Sequence, residues 1–245
     1  MADVTIDEGA VGLVASPALR GSIREYTGEI GARFGANLLG MVLYGPVLES
    51  GFDERRSAAT SAVVLKHVEL ESLRRLGEQG ARWGRRGIAA PLVMTPEFIE
   101  SSCDSFPLEL LEIKQNHVTL TGEDHFTPLE LKAEHVRLQC ERELKRIKMR
   151  MRQGLLAAAG REAALAELEA DIGLHLVRTL RGVLWLKGMT TYLPAPEVIG
   201  KCADLAGRPL TGLQTALASD GRRGWQEFGA LYEDVEALAG MANKE

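Results

Sequence analysis

The chain has 245 residues, 45% of them hydrophobic and 26% charged, which excludes a disordered segment and allows one large or two ordinary domains. A formal net charge of -5 and a pI near 5.7 argue against a dedicated nucleic-acid binder. Cys103, Cys140 and Cys202 lack the spacing of a disulfide framework or a zinc site, so reduced thiols in a cytoplasmic protein are expected.

The N-terminal stretch is acidic and lacks the basic region of a signal peptide, and no apolar run is long enough to span a bilayer, so no membrane contact is expected. Residues 1–15 read as a loose arm with room for a short strand. Ser16-Pro17 is an N-cap residue followed by Pro at the first helical position. Leu19, Ile23, Tyr26, Ile30 and Phe34 then recur three or four apart, predicting an amphipathic helix that Gly35 stops. Leu38 to Tyr44 and Ala62 to Leu65 are short apolar runs of the kind that form buried strands, and Gly45-Pro46 marks a sharp exit from the first.

Glu69 to Arg86 reads as a second amphipathic helix with Leu70, Leu73, Leu76 and Trp83 inward. Arg74, Arg75, Arg82, Arg85 and Arg86 crowd its outer face and end, where cations suit the helix dipole; a phosphate-facing role is the other reading. Ile88 to Met94 is expected as a third strand, at an edge because of Pro91. Thr95-Pro96 caps a short helix. Phe106 to Ile113 reads as a fourth strand and Val118 to Leu120 as a short fifth, closed by Thr121-Gly122.

Residues 125–130 read as a linker, and 131–245 as all helical. Val136, Cys140, Leu144, Ile147, Met151 and Leu155 give one long amphipathic helix. Its other faces carry a basic cluster, with Arg142, Lys145, Arg146, Arg150 and Arg152 the candidate contact surface. A solvated wall, helped by Glu141 and Lys145 at i,i+4, is the plainer reading. No aromatic residues interleave with these charges, so base stacking has no platform there. Beyond Gly160 a second long helix places His175 beside its apolar stripe as an interior or boundary residue, and shorter helices follow to make a four- or five-helix bundle.

The stretch LYGPVLESGFDERRSAATSAVVL resembles the signature of the nucleotidyltransferase superfamily, the DNA polymerase β-like fold. The segment FPLELLEIKQNHVTLTGED is similar to a stretch seen in bacterial nucleotidyltransferase-like proteins of comparable length. The resemblance implies a strand ending in Gly-Ser, then a strand carrying Asp-x-Asp, with the aspartates holding Mg²⁺ for attack on a nucleoside triphosphate. Here Pro46 stands where the family has Ser, and Ala58 and Thr60 stand where it has the two aspartates. Neither is a carboxylate, and Mg²⁺ prefers hard anionic oxygen. Glu109 and Glu112 are the candidates for the family's third carboxylate, on opposite faces of the expected strand. Asp53 and Glu54, in the Gly51-containing loop, are the candidates for a rescued metal site.

There is no P-loop, no dinucleotide fingerprint, no His-Glu-x-x-His and no nucleophile elbow. His117 and His125 flank Glu123 and Asp124 in a small polar cluster.

Together these readings give an α+β protein. A nucleotidyltransferase-like mixed sheet with helices occupies residues 16–124, and an all-α bundle occupies 131–245. The expected function is that of a pseudoenzyme binding a nucleotide or a protein partner, with Gly45, Ser57 and Thr60 lining the old phosphate pocket. Mg²⁺ and nucleic acid are not expected, and homo-oligomers are allowed. The alternatives are an active transferase that modifies a small-molecule or protein acceptor, and a structural subunit that assembles through its helices.

Overall fold

The computed structural model describes residues 5–55, 57–218 and 224–242. Residues 1–4 of the expected arm lie outside this range. The chain divides into two compact units, Met1–Cys103 with Glu109–Glu130 and Asp104–Leu108 with Leu131–Glu245.

The first unit is built on a four-stranded mixed sheet of β1 (Leu38–Tyr44), β2 (Thr60–Leu65), β3 (Leu92–Met94) and β4 (His117–Gly122), in the order β3-β2-β1-β4. β1 runs antiparallel to both neighbours, and β2 pairs parallel with β3. Odd positions of both central strands, Met41 and Leu43 with Ala59, Val63 and Leu65, enter one apolar core. Into the same core α2 (Pro17–Phe34) sends Leu19, Ile23, Tyr26, Ile30 and Phe34, the stripe that its sequence spacing predicts.

Several elements depart from the expectation. The loose arm is a short helix, α1 (Glu8–Gly12), capped by the Asp7 carboxylate, with Val11 and Val14 fully buried. The single helix expected over 69–86 is two, α3 (Leu70–Gly77) and α4 (Gly80–Gly84), because Gly77 and Gly80 bracket the break. Leu70, expected inward, is 83% exposed, while Trp83 is buried against Tyr26 with ring centroids 5.2 Å apart. Pro91 cuts the third strand to three residues, leaving one isolated bridge between Ala59 and Ile88. After α5 (Pro96–Ser101), capped by the Thr95 hydroxyl, the expected fourth strand is a helix, α6 (Pro107–Gln115). Leu108, Leu110, Leu111 and Ile113 are all buried, so apolar residues on several sides of the helix imitate a buried strand.

The second unit is helical: α7 (Ala133–Ala158), α8 (Glu162–Leu186), α9 (Ala195–Ala206), α10 (Thr211–Leu217) and α11 (Trp225–Ala242). The break between α7 and α8 falls at Ala159 and Gly160, both with positive φ, as the glycine signals. The stripes expected on both long helices meet in one core with Phe228, Leu231 and Val235. His175 is exposed rather than interior, its Nδ1 donating to the Asp171 carbonyl at 2.8 Å. No described helix is long and apolar enough to cross a membrane.

Candidate functional site

The end of β1 delivers Gly45 at φ +79, a conformation that glycine adopts without a Cβ penalty. Two hydrogen bonds clamp it to Asn116: the Gly45 N–H donates to the Asn116 carbonyl at 3.0 Å, and Asn116 Nδ2 returns a bond to the Gly45 carbonyl at 3.1 Å. Pro46 then opens a tight 3-10 turn through Leu48, the sharp exit that Gly-Pro predicts. Val47 behind it is fully buried and accepts a hydrogen bond from Ala15.

Thr60 opens β2 directly opposite Tyr44, and its hydroxyl donates to the Tyr44 carbonyl at 2.7 Å. Gly45 and Thr60 are thus neighbours; a Cβ on Gly45 would sit 3.4 Å from the Thr60 hydroxyl. Ala58, in the loop just before β2, is exposed and Thr60 half-buried, and they flank the buried Ala59. Ser57 is half-buried in the preceding loop, its N–H bonded to the Asp53 carbonyl at 3.0 Å.

This donor set does not fit the paired Mg²⁺ ions implied by the fold. The Ala58 side chain has no oxygen to offer, and the Thr60 hydroxyl is neutral and committed to Tyr44. The loop acids are also engaged. Asp53 Oδ1 accepts the Arg55 N–H at 3.0 Å, and Glu54 accepts the Ser16 hydroxyl. Glu109 and Glu112 lie one turn apart on α6 and so share a helix face, contrary to the opposite faces that a strand would give them. Glu112 is buried and Glu109 half-buried. Among the described residues no three His, Cys, Asp or Glu side chains gather as a metal group.

The polar cluster near 117–125 is partly assembled. The His117 ring donates from Nδ1 to the Ile113 carbonyl at 2.7 Å and sets Nε2 3.1 Å from Asp124 Oδ1. The same oxygen accepts the N–H groups of Phe126 and Thr127 at 2.8 and 3.1 Å, which makes Asp124 the anchor of a turn. Burial pushes the Asp124 carboxyl upward, but the Thr127 side chain, those two N–H groups and His117 outweigh it and hold the pKa at about 2. Beside this turn lies a pocket of about 360 Å³ lined by Cys103, Asp124, His125 and Glu130.

The basic face of α7 is largely neutralised within the helical unit. Lys145 pairs with Glu141 at 2.5 Å, Arg146 with Glu143 at 3.0 Å, Arg150 with Asp171, and Arg152 with Glu236 at 3.3 Å. Among the described residues Arg142 alone of the five candidates makes no ion pair. Ion pairs at such exposed positions contribute little to stability. Asn116 escaped the sequence reading, because a single Asn between a helix and a strand carries no signal of which backbone it will clamp.

Neither a protein-family model nor a curated protein matches the sequence. Among solved structures, spectinomycin adenyltransferase AAD(9) from Enterococcus faecialis, solved with ATP and spectinomycin, matches with a TM-score of 0.60. The match covers 91% of this chain and 98% of that chain. The fold is nucleotidyltransferase-like. At 11% identity the likeness is one of fold, and it spans the helical residues as well as the sheet.

Proposed function

We propose that this chain is a nucleotidyltransferase-like pseudoenzyme that binds a nucleotide without transferring it. One observation carries the reading: where the resemblance implies two metal-binding aspartates the chain has Ala58 and Thr60, and the Thr60 hydroxyl is turned onto the Tyr44 carbonyl. Phosphoryl and nucleotidyl transfer depend on positioning and on neutralising the charge that develops on phosphate, which metal ions held by carboxylates would supply. A site that offers a methyl and a neutral hydroxyl in their place supplies neither. The reading is also supported by the structural neighbour, whose own ligands are a nucleotide and a small molecule. Gly45, Ser57 and Thr60 are the groups assigned to the phosphate side of the ligand.

Calorimetric titration with ATP, GTP, CTP and UTP, each with and without Mg²⁺, tests the proposal. Saturable binding of one nucleotide, unchanged by Mg²⁺, is expected. Affinity that rises about tenfold with Mg²⁺, a change of about 1.4 kcal/mol, would overturn the pseudoenzyme and direct attention to Asp53, Glu54, Glu109 and Glu112. No binding of any of the four would overturn the nucleotide assignment.

A further inference from the structure

α2 faces α4 and the turn that follows it through a charge ladder. Glu25 pairs with Arg86 and Glu29 with Arg82, one helical turn apart. The next turn of α2 breaks the pattern, because position 33 is Arg33 rather than an acid. There the ladder opens into a pocket of about 490 Å³ lined by Glu29, Ala32, Arg33, Ser72, Arg75, Gln79 and Arg82. Three guanidiniums therefore share one cavity with a single lining carboxylate, and that carboxylate is already held by Arg82. Arg75 is held from outside the pocket by Glu71 at 2.9 Å. Arg33 makes no ion pair among the described residues.

A second observation points the same way. Arg82 spends one donor on Glu29, but its Nε is buried without an acceptor. Its guanidinium lies over the Trp83 ring, 4.5 Å from the centroid, so packing holds the group in place. A buried donor without an acceptor is costly, and charged donors the more so. Like charges gathered at one cavity also repel, and an anion seated among them relieves both costs.

We infer that this pocket is an oxyanion site taking a phosphate group, either inorganic phosphate species or the phosphate of a small metabolite. Guanidinium forks match phosphate oxygens, and the Ser72 hydroxyl and Gln79 amide add neutral donors to the same wall. The site is separate from the Gly45 end of the sheet. α2 begins beside Ser16, which holds Glu54 of the loop after β1, and Arg33 lies seventeen residues along, about 25 Å at the helical rise.

The test is calorimetric titration of the full chain with pyrophosphate, with ionic strength held constant by sodium chloride, followed by the same titration with glycerol 3-phosphate. Saturable binding of pyrophosphate is expected, weakened about tenfold or more in Arg33→Gln/Arg75→Gln and in Ser72→Glu, which places a carboxylate in the pocket. The exposed guanidinium side chains leave the fold intact, checked by circular dichroism, and Ser72→Glu decides if the double variant fails to fold. Stronger binding of pyrophosphate assigns the inorganic source, and stronger binding of the ester assigns the metabolite. Absence of binding by the wild-type chain, or equal affinity in both variants, overturns the site.

Discussion

Gly40 is the position where the sheet tolerates least. It sits on β1 opposite Gly122 of β4, where the register slips on the β2 side of the same strand. A Cβ on Gly40 would overlap the Glu123 carbonyl oxygen and come within 3.2 Å of that residue's carbonyl carbon and nitrogen. All three are backbone atoms, so no side-chain rotation relieves the clash; β4 must move away. That movement breaks the hydrogen bond from the Glu123 N–H to the Leu39 carbonyl, 2.9 Å long, worth about 1 kcal/mol. Overpacking a rigid site adds about 1–3 kcal/mol, so Gly40→Ala is expected to cost about 2–4 kcal/mol. Urea denaturation followed by circular dichroism measures it. Gly21→Ala is the internal control. Gly21 is exposed within α2 with nothing within 4 Å of its Cβ position, so the same substitution there is expected to stabilise by about 0.5–1 kcal/mol. A Gly40→Ala cost below about 0.5 kcal/mol, or the same sign at both positions, would refute the close-approach argument.

Asp234 is fully buried, and its carboxylate accepts from the Leu213 N–H and from Arg208, each at 3.0 Å. Burial pushes its carboxyl pKa upward against both partners. Asp234→Ala is expected to cost about 2–3 kcal/mol in the same denaturation assay, because the Leu213 N–H is left buried and unpaired. Asp124 titrates the other way. With its folded pKa at about 2 and an ordinary value near 4, its stabilisation is present above about pH 4 and is lost as pH falls toward 2. Melting temperature against pH should therefore decline less steeply over that window in Asp124→Asn; an unchanged acid limb would contradict the turn-anchor role. Burial lifts the thiols of Cys140 and Cys202 to about 12, so neither should react with an aromatic disulfide reagent at pH 8 until the chain unfolds, whereas half-buried Cys103 reacts in the native state. Fast native labelling of Cys202 would show that the helical core opens readily.

The two central strands and the helices of the second half were legible because each carries one period cleanly. The residues at 38–44 form an unbroken apolar run, and the stripe of α7 repeats every three or four residues over its length. The helix at 107–115 was not, because Leu108, Leu110, Leu111 and Ile113 are buried on several sides of it and the short polar face of Glu109 and Glu112 is too brief to set a helical period against that apolar run. At the candidate site, the order of residues from Gly45 to Thr60 was enough to place Gly45 and Thr60 at the ends of the two central strands. What the sequence could not reveal was where the remaining polar groups turn. The Thr60 hydroxyl reaches a carbonyl on the neighbouring strand, Glu54 meets Ser16, and Asn116 holds Gly45 from 71 residues away. Such pairings follow from register and loop closure, which local spacing does not encode.

The five residues Asp104–Leu108 belong to the helical unit although the chain on both sides of them belongs to the sheet unit. Within the helical unit the Leu108 N–H donates to Gln139 Oε1 at 2.8 Å, and its side chain, 2% exposed, is so close to Gly182 that a Cβ there would collide with it. The polypeptide therefore crosses between the units three times. A single recombination point cannot exchange the helical half for that of a relative without bringing Asp104–Leu108 along or leaving Leu108 against an unfamiliar surface. Inheritance of the two halves is coupled through this short excursion, and a stop codon at residue 131 removes the setting of a segment that was translated 23 residues earlier.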